Sequence, residues 1–149
     1  MPIDHKEPPY PPVIMQCVEQ ASSTYMVPRI VLLGIIRRES RGNPRATHHN
    51  HNGTYDIGIM QVNTEWVKKL SKRGMRINYR NLLDPCYNIH LGAWIIRHEL
   101  FADHKVPDGA QFWKRVANYH SHTEYFNRKY RIELAKDINW IAVNTDWWH

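Results

Sequence analysis

Residues 28–40 read PRIVLLGIIRRES. Pro28 suits the opening of a helix, Ile30 to Ile36 is an unbroken apolar run, and Arg37-Arg38-Glu39-Ser40 ends it in polar side chains. The run is far too short to cross a bilayer, so it predicts a helix sunk in a protein core. Gly42 and Pro44 then stop it. Glu39 therefore stands where a greasy helix meets water.

Pro12 predicts a first helix to about Ser23 with Val13, Cys17 and Ala21 on one face. Residues 1–11 before it form an extended, proline-rich tail. On the other side, Thr47 to Ile59 changes character. Asn52-Gly53 is a strong turn signal flanked by Thr54, Tyr55 and Ile57, which predicts a small hairpin or compact β-like loop. Asn63 is placed to cap a helix through Lys72, with Gly74 after it. Asp84-Pro85 starts another, carrying Ile89, Ala93, Trp94, Ile96 and Leu100. Asp108 begins a fifth through about Tyr119. Ser121 and Glu124 spell a capping box ahead of a stripe of Phe126, Tyr130, Leu134, Ile138 and Ile141. The expectation is a mainly α domain over residues 12–149, with five or six helices around one small β excursion, α+β only in the broad sense.

The chain has 149 residues, 42% hydrophobic and 23% charged, which suits one globular domain. Its net charge of +6 is spread over scattered residues such as Arg41, Arg45, Lys68 and Lys72. No nucleic-acid motif accompanies them, so nucleic acid is not an expected partner. Met1 to Pro12 lacks the apolar core of a leader. The expectation is a protein that acts after export, its leader already removed. Cys17 and Cys86 are too few for a zinc site, and alone they fit either two buried thiols or one disulfide. His48, His49 and His51 lack ligand-spaced partners and read as a solvated loop, while His90 and His98 lie too far apart on one helix for one ion. No metal and no cofactor is expected. Trp66, Trp94, Trp113, Phe126, Tyr130 and Trp140 are expected in the core. Trp147-Trp148 fit either a cover for the back of the domain or a partner contact.

Breaking a glycosidic bond needs an acid that stays protonated near neutral pH. A glutamate becomes one when apolar surroundings disfavour its charge. Alone, Glu39 reads more readily as a surface residue paired with Arg37, Arg38 or Arg41. Two further segments change this. Asp56-Ile57-Gly58-Ile59-Met60-Gln61-Val62-Asn63 follows Glu39-Ser40, and Ala117-Asn118-Tyr119-His120-Ser121 comes after an apolar helix. In this order the three motifs resemble those of the family 1 lytic transglycosylases, whose SLT domain is lysozyme-like. The small specialised members that accompany secretion, conjugation and pilus machines are the most similar. The likeness covers roughly residues 13 to 122.

The resemblance implies helices around a cleft and a single catalytic acid, Glu39. It implies cleavage of the β-1,4 bond between N-acetylmuramic acid and N-acetylglucosamine, leaving a 1,6-anhydro end. Ser40 is expected to orient Glu39 or touch sugar, and Gly58 to let backbone approach the cleft. Met60 would form an apolar wall, Gln61 would serve the acetamido group, and Tyr119 would aim its hydroxyl at the reaction centre. Tyr119-His120-Ser121 departs from the commoner Tyr-Asn-Ala, so that asparagine's roles do not carry over. Asp56 is placed as a second carboxylate, with a turn-capping residue as its alternative. The resemblance also implies a Cys17–Cys86 disulfide. The expected setting is the periplasm, and the expected partners are peptidoglycan strands and components of an envelope machine; the protein is expected to be a monomer without a membrane span. Rival readings are a muramidase in which water attacks with help from Asp56, and a non-catalytic wall-binding assembly module.

Overall fold

Helix α2, Arg29–Glu39, is apolar on every side and accordingly buried from Val31 through Ile36. A helix of that kind needs protein all round it, and the other elements supply the cover. The structure, a computed structural model, describes residues 6–147. The other helices are α1 (Pro12–Tyr25), α3 (Thr64–Lys72), α4 (Pro85–Leu100), α5 (Gly109–Ala117) and α6 (Glu124–Asn144), of which α6 and α1 pack on α2. Between α2 and α3 sit three short strands, β1 (Thr47–His49), β2 (Tyr55–Ile57) and β3 (Val62–Asn63), antiparallel in the order β1-β2-β3. The fold is mainly α with one small sheet, as the pattern of the chain predicted.

Two helix pairs carry the core: α2 packs on α6, and α1 on α4. In the first, Gly34 lets the backbones close up, since a Cβ there would meet Ile138 Cγ1 at 2.5 Å. In the second, Cys17 and Cys86 are joined in a disulfide across a sequence separation of 69. Lys6 to Pro11 lie against the domain, where buried Tyr10 donates its hydroxyl to the Leu33 carbonyl at 3.2 Å.

Asn63 and Asp84 cap α3 and α4 as expected, accepting from Glu65 N and Tyr87 N. The expected Ser121–Glu124 box does not form. The cap of α6 is Thr123, and Ser121 Oγ accepts only from Thr123 N. A box forms instead at α5, between Asp108 and Gln111. Faces also shift. Val13 points outward, and α1 buries Ile14, Cys17, Val18 and Ala21. Phe126 leaves the core stripe of α6, which buries Asn127, Tyr130, Leu134, Asp137 and Ile141. Asn127 replaces apolar filling by donating to Lys114 O, Asn118 Oδ1 and Ser121 O. Trp113 and Trp140 are surface aromatics rather than core, and Arg37 lies over the Trp140 ring at 4.1 Å. Trp147 donates to Lys6 O at 3.4 Å, joining the first and last of the described residues. Trp148 lies outside the described residues.

Candidate active site

A cleft of about 590 Å³ opens between the helices and the sheet, lined by Glu39, Asp56, Gln61, Asn63, Tyr119 and His120 among others. A smaller hollow of about 260 Å³ continues it, and Glu39, His120 and Phe126 line both. Glu39 therefore sits at the waist of one groove. Of the residues marked in the sequence, Glu39, Asp56, Gln61 and Tyr119 come together here. Ser40, Gly58 and Met60 do not line it.

Arg37 and Arg38 form their ion pairs away from Glu39, although Arg38 lines the adjoining hollow with it and its charge favours the ionised carboxyl. Arg38 reaches Glu133 at 3.1 Å and Asp137 at 3.5 Å, and Arg37 reaches Asp137 at 3.5 Å, all across the α2–α6 contact. What faces Glu39 instead is a phenol: Tyr130 donates its hydroxyl to Glu39 Oε1 at 2.8 Å. Glu39 keeps a partly exposed surface on the cleft, yet desolvation of its carboxyl dominates. Burial pushes it up from 4.5 to about 7, the Tyr130 hydrogen bond pulls it down, and the nearby Asp56 charge adds to the rise. An acid so tuned exists in both protonation states near neutrality.

The segment from Gly58 to Gln61 is pinned behind this carboxyl. Buried Asn88, on α4, donates to Ile57 O and Leu82 O at 2.8 Å each and accepts from Met60 N at 2.9 Å. Tyr119 donates to Met60 O at 2.7 Å, so its hydroxyl is spent on backbone rather than aimed at Glu39. Ser40 Oγ donates to Ile59 O at 2.6 Å and accepts from Gly42 N at 3.1 Å, stapling the end of α2 to the same segment. The Met60 side chain is fully buried against Gly92, where a Cβ would meet its sulfur at 2.6 Å. Gly58 has φ +84°, and a Cβ there would run into the Asn88 amide and the Leu82 carbonyl. Its close approach is to α4 and the loop before it, not to the cleft. Gln61 Nε2 donates to Ala46 O and Gly58 O at 2.9 and 3.0 Å, so its carbonyl oxygen is what it can offer a ligand.

Asp56 faces the cleft from β2, accepting from Asn63 Nδ2 at 2.9 Å and Asn50 Nδ2 at 3.1 Å. Among the described residues its side-chain partners are thus two neutral amides and no cation. His51 reaches the cleft from the hairpin. Among the described residues, no three His, Cys, Asp or Glu side chains gather as an ion-holding group.

Residues 16–139 match the Transglycosylase SLT domain family. The chain belongs to that family. Invasion protein IagB of Salmonella typhimurium is 32% identical over 123 residues, 82% of this chain and 72% of its own length. Protein IpgF of Shigella flexneri is 29% identical over 126 residues, 82% of this chain and 76% of its own. A transglycosylase of Enterobacteria phage PRD1 is 27% identical over 135 residues, 87% of this chain and 44% of its own. The chain is a peptidoglycan lytic transglycosylase, and the cleft around Glu39 is its candidate active site.

Sequence reasoning missed two aromatic residues in this transglycosylase. Tyr130 reads as one more core position of α6, because nothing in a helical stripe reveals that its hydroxyl reaches α2. His120 drew notice only as a departure from the family pattern. Its ring lies flat on Tyr130, with centroids 4.6 Å apart and planes at 8°. Desolvation holds it below the usual histidine range, with Asp56 opposing, so the ring backing Tyr130 is neutral at neutral pH.

Proposed function

We propose that Glu39 serves as acid and then as base in one lytic turnover. The neutral carboxyl protonates the oxygen linking N-acetylmuramic acid to N-acetylglucosamine, and the bond from that oxygen to the muramic anomeric carbon breaks. The resulting Glu39 carboxylate takes the proton of the muramic 6-hydroxyl, whose oxygen attacks the anomeric carbon. The products are a free N-acetylglucosamine end and a 1,6-anhydromuramic end; no water is consumed. The observation that carries this reading is the Glu39 carboxyl at the waist of the groove, raised to about 7 and hydrogen-bonded by Tyr130.

Asp56 stabilises the positive charge that develops at the anomeric carbon, aided by the substrate's own acetamido group. Its place in the same cleft and its amide-only partners support that role. Gln61 accepts from the acetamido N–H. Ser40, Gly58 and Met60 act on substrate through the pinned segment rather than by direct contact, while Tyr119 lines the cleft with its hydroxyl holding Met60 O. Mass spectrometry of digested sacculi tests the product: an anhydro end lacks one water relative to a hydrolysed end, and Glu39→Gln abolishes its formation. Hydrated muropeptides as the sole product would replace this reading with hydrolysis assisted by Asp56.

The same reading places the enzyme at the periplasmic wall, opening local gaps for an envelope-spanning machine. Likeness to an invasion protein supports this, and no described helix is long and apolar enough to cross a membrane.

A further inference from the structure

Side chains alternate across a strand, so the small sheet has two faces. Asp56 and its cross-strand partner Asn63 line the catalytic cleft, which turns Tyr55 and Ile57 to the opposite side. There a second groove of about 410 Å³ is lined by Tyr55, Tyr79, Glu65 and Lys68, with Ile57 beneath. Nothing in the catalytic proposal uses it.

The lining has the chemistry of a sugar site. Tyr55 and Tyr79 are 43% and 52% exposed, so neither ring is spent on the core. His49 stacks on one side of Tyr55, with centroids 4.5 Å apart and planes at 14°. His49 does not line the groove, which leaves the other side of the ring to it. A pyranose lays its C–H face on such rings, while hydroxyl and amide groups find donors and acceptors at a polar rim. Lys68, whose exposed Nζ lies 3.9 Å from Glu65 Oε1 at the same rim, adds a cation that can also reach the carboxylates of wall strands.

The groove also joins the cleft. Asn52 and Thr54, at the hairpin turn, line both. We propose that the back of the sheet is a second glycan-binding groove, continuous over the hairpin with the catalytic cleft, which holds a peptidoglycan strand away from the bond being cut. This rests on the cleft being the glycan-cutting site. Long strands occupy both grooves; short ones reach only the first.

The test compares wild type with Tyr79→Ala, Tyr55→Ala and Lys68→Glu on isolated glycan strands and on a tetrasaccharide too short to span both grooves. Each tyrosine variant is expected to raise KM for long strands about fivefold, leave kcat unchanged, and leave tetrasaccharide turnover untouched. Lys68→Glu, on the surface, moves the same KM without touching a ring. In the inactive Glu39→Gln background, Tyr79→Ala is expected to reduce co-sedimentation with sacculi to a similar degree. An unchanged long-strand KM in all three variants overturns the proposal, as does equal loss on the tetrasaccharide. Failure of the catalytic reading is distinct: Glu39→Gln would then keep full turnover on both substrates.

Discussion

Glu39 is costly to the fold, and the cost has a defined pH dependence. In the unfolded chain its carboxyl ionises near 4.5; in the folded protein it does so near 7. Below 4.5 both states carry the neutral acid and there is no penalty. Between the two values the folded state holds a proton that the unfolded state has released, so stability falls as pH rises. Above 7 the penalty is complete. At about 1.4 kcal/mol for each tenfold change in proton affinity, it comes to about 3 kcal/mol. Glu39→Gln keeps the shape, can still accept from Tyr130, and never ionises. The variant is therefore expected to match wild type at pH 4 and to exceed it by about 3 kcal/mol at pH 8, while losing its activity. Urea unfolding of both proteins at pH 4, 6 and 8, followed by circular dichroism, measures this directly. A difference that stays flat across that range would refute the desolvated-acid argument, whatever the activity shows.

Tyr130→Phe removes the one hydrogen bond that favours the Glu39 carboxylate. The basic limb of the pH–rate profile is expected to move upward, by about tenfold in proton affinity; an unmoved limb would exclude Tyr130 as its partner. Asp56→Asn removes a neighbouring charge that raises Glu39, so the same limb is expected to move down and kcat to fall about tenfold or more. Intact turnover in Asp56→Asn, with none in Glu39→Gln, would leave Asp56 a structural residue of the hairpin. Replacing Cys17 and Cys86 together by serine frees a long loop in the unfolded chain, with an expected loss of up to about 4 kcal/mol; thermal melts with and without reductant check it.

Much of the architecture was legible because local rules decide it. Pro28 and the Ile30–Ile36 run mark α2, Asn63 and Asp84 mark two helix starts, and Asn52-Gly53 marks the hairpin turn. The misreadings share a cause. Ser121 and Glu124 have capping-box spacing, but the chain enters α6 at Thr123, and spacing says nothing of where the preceding turn ends. Val13 and Phe126 are apolar at near-helical periods. The buried faces of α1 and α6 are nonetheless rotated away from them, because the buried face depends on which partner helix is nearest.

The candidate site divides along the same line. Glu39, Asp56 and Gln61 could be marked from their motifs, since residue type and order survive in the linear chain. That Ser40 and Met60 lie behind the groove, and that Tyr119 lines it with its hydroxyl given to backbone, follows from the Ile59, Asn88 and Met60 hydrogen bonds. These link residues far apart in sequence.

Residue identities along the chain determined its class and its helices, and marked Glu39 as the carboxyl group proposed to do acid chemistry. Packing of α2 against α6 decided what that carboxyl became. It drew Arg37 and Arg38 to Asp137 and Glu133, and it set Tyr130 beside Glu39. A side chain's charge state depends on its dielectric surroundings and on neighbours at a few ångströms. Those neighbours come from residues about ninety positions away, and only the folded chain brings them together.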